Sequence, residues 1–543
     1  MPFSPAVVVD GLSYHLPDGT VILDAVSATF PAARTGLIGD NGSGKTTLLR
    51  LIGGRLRPTD GSVRVSGRVY TVPQRLTVAG TVADLLGIAG TVAGLRAIEA
   101  GSVAQQHFDA VGDDWDVEAR AAAELTRIGL PDDPGFLGRG AATLSGGEAT
   151  RIALAGACLA LADVTLLDEP TNNLDARTRA WLYDELERWD GALIVVSHDR
   201  ELLERVDGLV DLTRRGAVSF GGPFSAYEAY RAELREAAER GLRAAEAELD
   251  RARRQAQTEL QRQAQRDRSA RRELARGNVS KGAADFYQNR AEKGAGSKTV
   301  AHQQAVLDAQ AARTEADDRA RQPDTIRIPL PMTTVPAGKE VLRLRVGETR
   351  LDVVGPERIR LVGDNGSGKS TLLALVLGLD GDEPWRRAVL DGVSLDLAPA
   401  VAVGMLAQNL DGLDRFPSAI EAVRDAAPSR TPHDARALLA RFLIRGDRAD
   451  QPPSTMSGGE RFRVGLARTL FADPAPQLLI LDEPTNNLDL ASVEQLVGAL
   501  EDYRGALLVV THDGHLASRL RVERQWEATR QAGPLKVADR LIG

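Results

Sequence analysis

Gly39-Asp40-Asn41-Gly42-Ser43-Gly44-Lys45-Thr46 returns, with serine for the final threonine, as Gly363-Asp364-Asn365-Gly366-Ser367-Gly368-Lys369-Ser370. Both match G-x-x-x-x-G-K-[ST], a loop suited to holding phosphate. Its glycines adopt backbone conformations that L side chains resist, so successive N–H groups can close around an anion. Lys45 and Lys369 then reach the β- and γ-phosphates, and the Thr46 and Ser370 hydroxyls can ligate Mg²⁺. Thr47 and Thr371 follow at once and join the binding set. An apolar stretch precedes the first loop, and Leu48-Leu49-Arg50-Leu51-Ile52 follows it. These supply the strand and the helix that such a loop joins, with the helix aiming its positive end at the phosphates. An α/β fold is predicted, and it is predicted twice.

Working outward from each loop finds the same series. Leu144-Ser145-Gly146-Gly147-Glu148 precedes Val164-Thr165-Leu166-Leu167-Asp168-Glu169 in the first copy. Met456-Ser457-Gly458-Gly459-Glu460 precedes Leu479-Ile480-Leu481-Asp482-Glu483 in the second. A Ser-Gly-Gly at a helix start offers a further nest of N–H groups. An apolar strand ending in two carboxylates can hold Mg²⁺ through its aspartate and activate water through its glutamate. A third apolar strand, Leu193–Val196, ends in Ser197-His198-Asp199, matched later by Thr511-His512-Asp513. The strand ends of a parallel sheet are where ligands bind. From phosphate-loop lysine to carboxylate pair is 123 residues in one copy and 113 in the other, so the match is an internal repeat.

Phosphate loop, Leu-Ser-Gly-Gly-Glu signature, apolar strand with Asp-Glu, and a histidine after the next strand together resemble the ATP-binding cassette family. The resemblance implies two P-loop ATP-binding cassette domains, each a mixed α/β core with a helical subdomain, that hydrolyse ATP with Mg²⁺. It implies Gln74 and Gln408 beside Mg²⁺ and the attacking water, and His198 and His512 at the γ-phosphate. Tyr14 is implied as the aromatic that stacks on adenine. Cassettes of this family face head to tail. Lys45, Thr46, Gln74, Asp168, Glu169 and His198 are therefore expected to share one ATP with Ser457, Gly458 and Gly459. Lys369, Ser370, Gln408, Asp482, Glu483 and His512 are expected to share another with Ser145, Gly146 and Gly147. Both copies keep the glutamate, so both are expected to turn over. Two departures stand out. No aromatic lies near Gly338, where the counterpart of Tyr14 falls, and the second signature opens on Met456, a volume-conserving change. The first copy also spans 71 residues from glutamine to signature against 49, a surplus near 93–120 in its helical subdomain.

Both carboxylate strands continue as Asp-Glu-Pro-Thr-Asn-Asn-Leu-Asp, at Asp168–Asp175 and Asp482–Asp489. With Phe220-Gly221-Gly222-Pro223-Phe224-Ser225-Ala226-Tyr227 and a charged spacer between two cassettes, the whole chain is similar to the F subfamily (ABC-F). Residues 1–230 are read as the first cassette, 231–322 as a linker and 323–543 as the second cassette. The resemblance implies a monomer with intramolecular cassette pairing that binds the ribosome in its ATP-closed state. It would occupy the tRNA exit (E) site, with the linker near peptidyl-tRNA, regulating translation or protecting the ribosome from antibiotics. A fused ATPase subunit of a membrane transporter is the alternative, and a DNA-associated cassette protein a third reading.

The spacer supports the ribosomal reading on physical grounds. No proline interrupts Arg231–Gln322. Leu234, Ala238, Leu242, Ala245, Leu249, Ala252, Ala256 and Leu260 step by three or four, an amphipathic stripe narrow enough for a coiled-coil seam. Gly277-Asn278-Val279-Ser280-Lys281-Gly282 suits a turn, followed by a second helical stretch with a break at Gly294-Ala295-Gly296. A first helix of about 46 residues would span ~70 Å. From Arg251 to Lys298 there are 13 basic and 5 acidic residues, a local +8 on a chain of net charge −8. Arg262, Arg266, Arg268, Arg271, Arg272, Arg276 and Lys281 gather about the expected tip and could neutralise phosphates of rRNA or tRNA. A solvated helix face has a similar composition. Phe286 and Tyr287 could pack on the facing helix or stack on a base. The one cysteine, Cys158, excludes an intrachain disulfide, and no run is apolar enough to span a bilayer. A cytoplasmic protein is expected.

Overall fold

The computed structural model describes residues 5–542 except 75–79, 173, 214–215, 276–302, 319, 321–329, 331–332, 380–387, 398–400, 487 and 531–532. One compact unit comprises Met1–Phe224 with Asp324–Gly543, and a second comprises Ser225–Pro323.

Among the described residues the first cassette has nine strands: β1 (Pro5–His15), β2 (Val21–Pro31), β3 (Arg34–Ile38), β4 (Asp60–Val65), β5 (Val69–Val72), β6 (Val164–Asp168), β7 (Ala192–Val196), β8 (Gly208–Thr213) and β9 (Gly216–Gly221). An antiparallel sheet runs β2-β1-β4, and a six-stranded sheet runs β5-β6-β7-β3-β8-β9. The latter is parallel except at its β8–β9 edge. Every residue of β6 and β7 is buried, which is why these central strands read as unbroken apolar runs rather than alternating ones. The helix Lys45–Ile52 joins the core between the sheets through Leu48, Leu49, Leu51 and Ile52. Truncating a core residue such as Leu166 to alanine would cost about 2–5 kcal/mol. Helices Ala89–Glu99, Gln105–Val111 and Val117–Arg127 form a separate apolar cluster with the signature helix Gly146–Leu159. The sequence surplus near 93–120 lies in these helices.

The second cassette repeats the plan with β10 (Glu340–Val346), β11 (Thr349–Val354), β12 (Arg358–Val362), β13 (Val393–Leu397), β14 (Val403–Leu406), β15 (Leu478–Asp482), β16 (Ala506–Val510), β17 (Arg524–Thr529) and β18 (Lys536–Leu541). Its sheets run β11-β10-β13 and β14-β15-β16-β12-β17-β18. One difference is structural. The opening hairpin of the first cassette has strands of 11 residues each, whereas β10 and β11 have 7 and 6.

In the second unit, one helix runs Phe224–Ala275, 52 residues and so ~78 Å at 1.5 Å per residue. It begins seven residues before the boundary expected at 231, directly after Pro223. Ala238, Leu242, Ala245, Leu249, Ala252 and Ala256 are all shielded from solvent relative to their neighbours, while Leu234 and Leu260 are exposed. The seam is therefore shorter than the apolar stripe. It faces the helical residues 303–318, where Ala309 is buried and Arg313 lies 3.7 Å from Glu246. Arg262, Arg266, Arg268 and Arg272 are exposed. The expected turn at 277–282, with Arg276, Lys281, Phe286 and Tyr287, lies outside the described residues.

Candidate active site

Each phosphate loop runs from a strand (β3 or β12) into a helix whose opening turn has no side-chain cap. Other helices in the chain are capped by Thr81, Ser145, Asp175 or Asp199. The phosphate-loop helices keep their first N–H groups for an anion. The residue before each lysine, Gly44 or Gly368, has φ of 97° or 99°, a left-handed conformation that favours glycine. Lys45 Nζ donates to the Gly39 and Asp40 carbonyls at 2.7 and 3.0 Å, bending the side chain back over the loop. Lys369 repeats this on the Gly363 and Asp364 carbonyls. Burial lowers the pKa of both lysines, opposed by the nearby carboxylates.

A cavity of about 300 Å³ in the first cassette brings together Asn41, Gly42, Lys45, Thr46, Thr47, Gln74, Asp168, Glu169 and His198 with Gly44, Ile22 and Val196. Ile22 and Val196 line the cavity without having been singled out as site residues in the sequence, since nothing sets either apart from any other strand residue. Tyr14 does not line this cavity. It is half-buried on β1 at the register of Leu23. Thr46 Oγ1 donates to Asp168 Oδ1 at 3.3 Å, and Ser43 Oγ is buried without a hydrogen-bond partner. In the second cassette Ser367 Oγ is likewise unpartnered, Ser370 is exposed and Thr371 half-buried on the following helix. Hydroxyl and carboxylate donors with an unsatisfied hydroxyl beside them fit a Mg²⁺-bound phosphate. Gln74 and Gln408 each stand two residues beyond a strand, β5 and β14.

Glu169 and Glu483 follow the ends of β6 and β15 with φ of 50° and 44°, rare for a side-chain-bearing residue. Their N–H groups donate to Val196 and Val510 carbonyls at 2.9 Å, which fixes the bend. Burial pushes both carboxyls up, Glu483 to about 7. His198 Nε2 lies 3.3 Å from Glu169 and His512 Nε2 3.6 Å from Glu483. Burial depresses both imidazoles, His512 to about 4, so each is neutral at pH 7. A raised carboxyl beside a neutral histidine and a phosphate cradle suits proton abstraction from water.

The cassettes meet at these loops. Asp489 caps the helix Leu490–Glu501 by accepting the Ser492 N–H on Oδ1 at 2.8 Å, while its Oδ2 accepts the Asn41 N–H of the first phosphate loop at 2.6 Å. Asp175 does the same, with Thr178 on Oδ1 at 2.9 Å and Asn365 on Oδ2 at 3.3 Å. Burial alone would raise the Asp489 pKa, but the Ser492 and Asn41 hydrogen bonds hold it below its ordinary value. The signature helices stand behind these aspartates. A Cβ on Gly459 would meet Ser492 Oγ at 3.0 Å, and one on Gly147 would meet Thr178 Oγ1 at 2.7 Å. Ser145 and Ser457 are the signature N-caps, each in a reciprocal pair with Glu148 or Glu460. Gly146 and Gly458 open those helices. A short relay of contacts thus leads from the second signature through Asp489 to Asn41, and from the first signature through Asp175 to Asn365. Asp175 and Asp489 were quoted in the sequence only as motif ends. Their spacing before a helix marks a cap, and nothing in it marks the crossing bond.

Two phosphate loops, two carboxylate pairs and two signatures on one compact unit define a twin-cassette ATP hydrolase of the P-loop type. The ABC transporter family profile matches residues 23–172 and 347–486. The chain belongs to the ABC-F branch of the ATP-binding cassette family. It is 33% identical to the tylosin resistance ATP-binding protein TlrC of Streptomyces fradiae over 92% of this chain and 94% of that one. It is 30% identical to the energy-dependent translational throttle protein EttA of Mycobacterium tuberculosis, over 91% and 86%. In fold it is similar to the archaeal ribosome recycling factor aABCE1 solved with stalk protein aP1, with TM-score 0.54, 19% identity and coverage of 97% and 89%. Among the described residues no helix is long and apolar enough to cross a membrane.

Proposed function

We propose that this chain is a cytoplasmic, monomeric ATPase that binds the ribosome with its cassettes closed on ATP. The reciprocal Asp489–Asn41 and Asp175–Asn365 bonds carry the reading, because they tie each phosphate loop to the opposite cassette beside its signature. Each ATP then lies between one cassette's lysine and the other's Ser-Gly-Gly, Lys45 with Ser457–Gly459 and Lys369 with Ser145–Gly147. Tyr14 stacks on the first adenine. Thr46 and Asp168 with Gln74, and Ser370 and Asp482 with Gln408, would hold Mg²⁺, which when bound neutralises phosphate charge. Glu169 or Glu483 takes a proton as the water oxygen bonds to the γ-phosphorus and the bond to the β-phosphate oxygen breaks. His198 or His512, neutral, faces the γ-phosphate. Loss of that phosphate removes the charge bridging the cassettes and lets them part.

The names of two relatives, a translational throttle and a tylosin resistance protein, support the output: regulation of translation or protection of the ribosome from an antibiotic. The binding place is the tRNA exit site. The linker's arginines contact rRNA and tRNA there, with its tip near peptidyl-tRNA. Glu169→Gln with Glu483→Gln in one chain, given ATP, is expected to co-sediment with ribosomes and inhibit translation. Failure to associate overturns the reading. Drug susceptibility of a host expressing the chain, with and without a shortened 275–281 segment, separates protection from regulation.

A further inference from the structure

The helix Leu490–Glu501 of the second cassette reaches the first cassette both at its start and in its middle. Its cap, Asp489, accepts the Asn41 N–H of the phosphate loop. Further along, Glu494 Oε1 accepts from a guanidinium nitrogen of Arg200 at 3.1 Å. Arg200 opens the short helix Arg200–Leu203, directly behind His198 and Asp199. Asp199 caps that helix, taking the Glu201 and Leu202 N–H groups on Oδ1 at 3.0 and 3.2 Å. Its Oδ2 accepts the Tyr183 hydroxyl at 2.6 Å. With the turn pinned in this way, a pull on Arg200 is passed to the backbone that carries His198. One helix of the second cassette thus holds the phosphate loop and the histidine loop of the first.

Glu494 is prepared for this contact. Arg519 of its own cassette grips both carboxylate oxygens, each at 2.9 Å, and so fixes their direction. The Arg200 side chain is 20% exposed and that of Glu494 40%. A lone surface ion pair is worth little, but a carboxylate already held by a two-pronged arginine gives up less freedom to take a second partner. The second site has no such pair. Counting from the matching caps Asp175 and Asp489, the counterpart of Glu494 is Ala180. Counting from His198 and His512, the counterpart of Arg200 is Gly514. Neither can carry a charge.

We propose that Arg200 and Glu494 form a latch across the cassette boundary, with Arg200 the positioning residue through which the second cassette steadies His198 at the first nucleotide site. This rests on the reading of Lys45–Glu169 as a hydrolytic site. It makes the two sites unequal despite their shared motifs, and it ties the histidine loop of the first to the mating of the cassettes. The competing role is local. Arg200 lies 5.4 Å from the centre of the Phe224 ring, and Glu494 anchors Arg519, so each could serve its own cassette alone.

A double-mutant cycle in two backgrounds decides between them: Lys369→Ala, which leaves the first site, and Lys45→Ala, which leaves the second. Steady-state ATP hydrolysis is measured for Arg200→Ala, Glu494→Ala and both together. In the Lys369→Ala background each single change is expected to lower kcat about fivefold with KM within about twofold, and the double change to lower it no further. Arg200→Lys should keep most of the rate. Raising salt from about 0.05 to about 0.5 M should lower kcat more with the latch intact than in Arg200→Ala, because screening weakens a part-exposed pair. In the Lys45→Ala background kcat stays within about twofold. Losses that multiply, equal losses in both backgrounds, an equal response to salt, or no loss at all overturns the proposal. A Lys369→Ala protein whose residual turnover ignores Glu169→Gln would instead overturn the reading of the first site itself.

Discussion

At the first nucleotide site, Ile22 and Leu23 of a long opening hairpin lie over Gly44, where a Cβ would come within 3.3 Å of both. At the second, the opening hairpin is shorter, with strands of 7 and 6 residues. Val389 and Leu535 take its place over Gly368, joined by a hydrogen bond from the Leu535 N–H to the Val389 carbonyl at 3.0 Å. The motifs proposed to hold phosphate, metal and water are shared. What differs is the packing over the phosphate loop, set by residues outside every motif. Two sites with one alphabet are thus expected to bind and turn over differently.

The severest way to break the comparison is to remove the base. Glu169→Gln in the Lys369→Ala background, or Glu483→Gln in the Lys45→Ala background, is expected to cost at least about 100-fold in hydrolysis. A site that loses nothing is not hydrolytic, and the pairing of equals would fail. Next comes Tyr14→Ala. Loss of a stacking platform, ~1–3 kcal/mol per base, is expected to weaken ATP binding at the first site by about tenfold or more while leaving the second unchanged. Titrating ATP against the two single-site proteins checks it.

Acidity probes the same contrast. A carboxyl raised by burial works as a base only above its pKa, so activity is present at higher pH and is lost as pH falls through that value. The second site should lose activity below about pH 7, where burial places Glu483. Glu169, pushed by burial to about 8, should place the acid limb of the first site at higher pH. Coincident pH–rate profiles of the two single-site proteins would contradict this. The smallest effect separates the crossing bonds. Asp489→Ala and Asp175→Ala each remove a helix cap worth ~1 kcal/mol, a few degrees in a thermal melt. Asp489→Ala should also weaken ATP binding more, because its bond to Asn41 is 2.6 Å against 3.3 Å for Asp175 to Asn365.

Most of the cavity in the first cassette is lined by motif residues, and so was open to reading in the sequence. Lys45, Thr46, Gln74, Asp168, Glu169 and His198 carry chemistry in their type and order. The rest was hidden for a physical reason. Ile22, Val389 and Leu535 act through shape, and shape at a site depends on which distant segments the fold brings there. The fold class was visible because fully buried parallel strands leave unbroken apolar runs such as Leu193–Val196. The linker seam was visible in its middle, from Ala238 to Ala256, where the periodic positions are shielded. It was overread at Leu234 and Leu260, since periodicity records a helix face and not whether anything covers it.

The double use of Asp489 has a consequence for how the protein is made. Asn41 is synthesised well before the carboxylate that receives its N–H, which lies 448 positions downstream. After Phe224, the end of the first cassette's part of the compact unit, the ribosome must still add 265 residues to reach Asp489, roughly 13–53 s at 5–20 residues per second. During that interval the nascent first cassette carries an open docking face with an unmatched aspartate, Asp175, and a phosphate loop awaiting its partner. Such a face invites association between neighbouring nascent chains on one message. ATP captured early by the Lys45 loop would shield it during the wait.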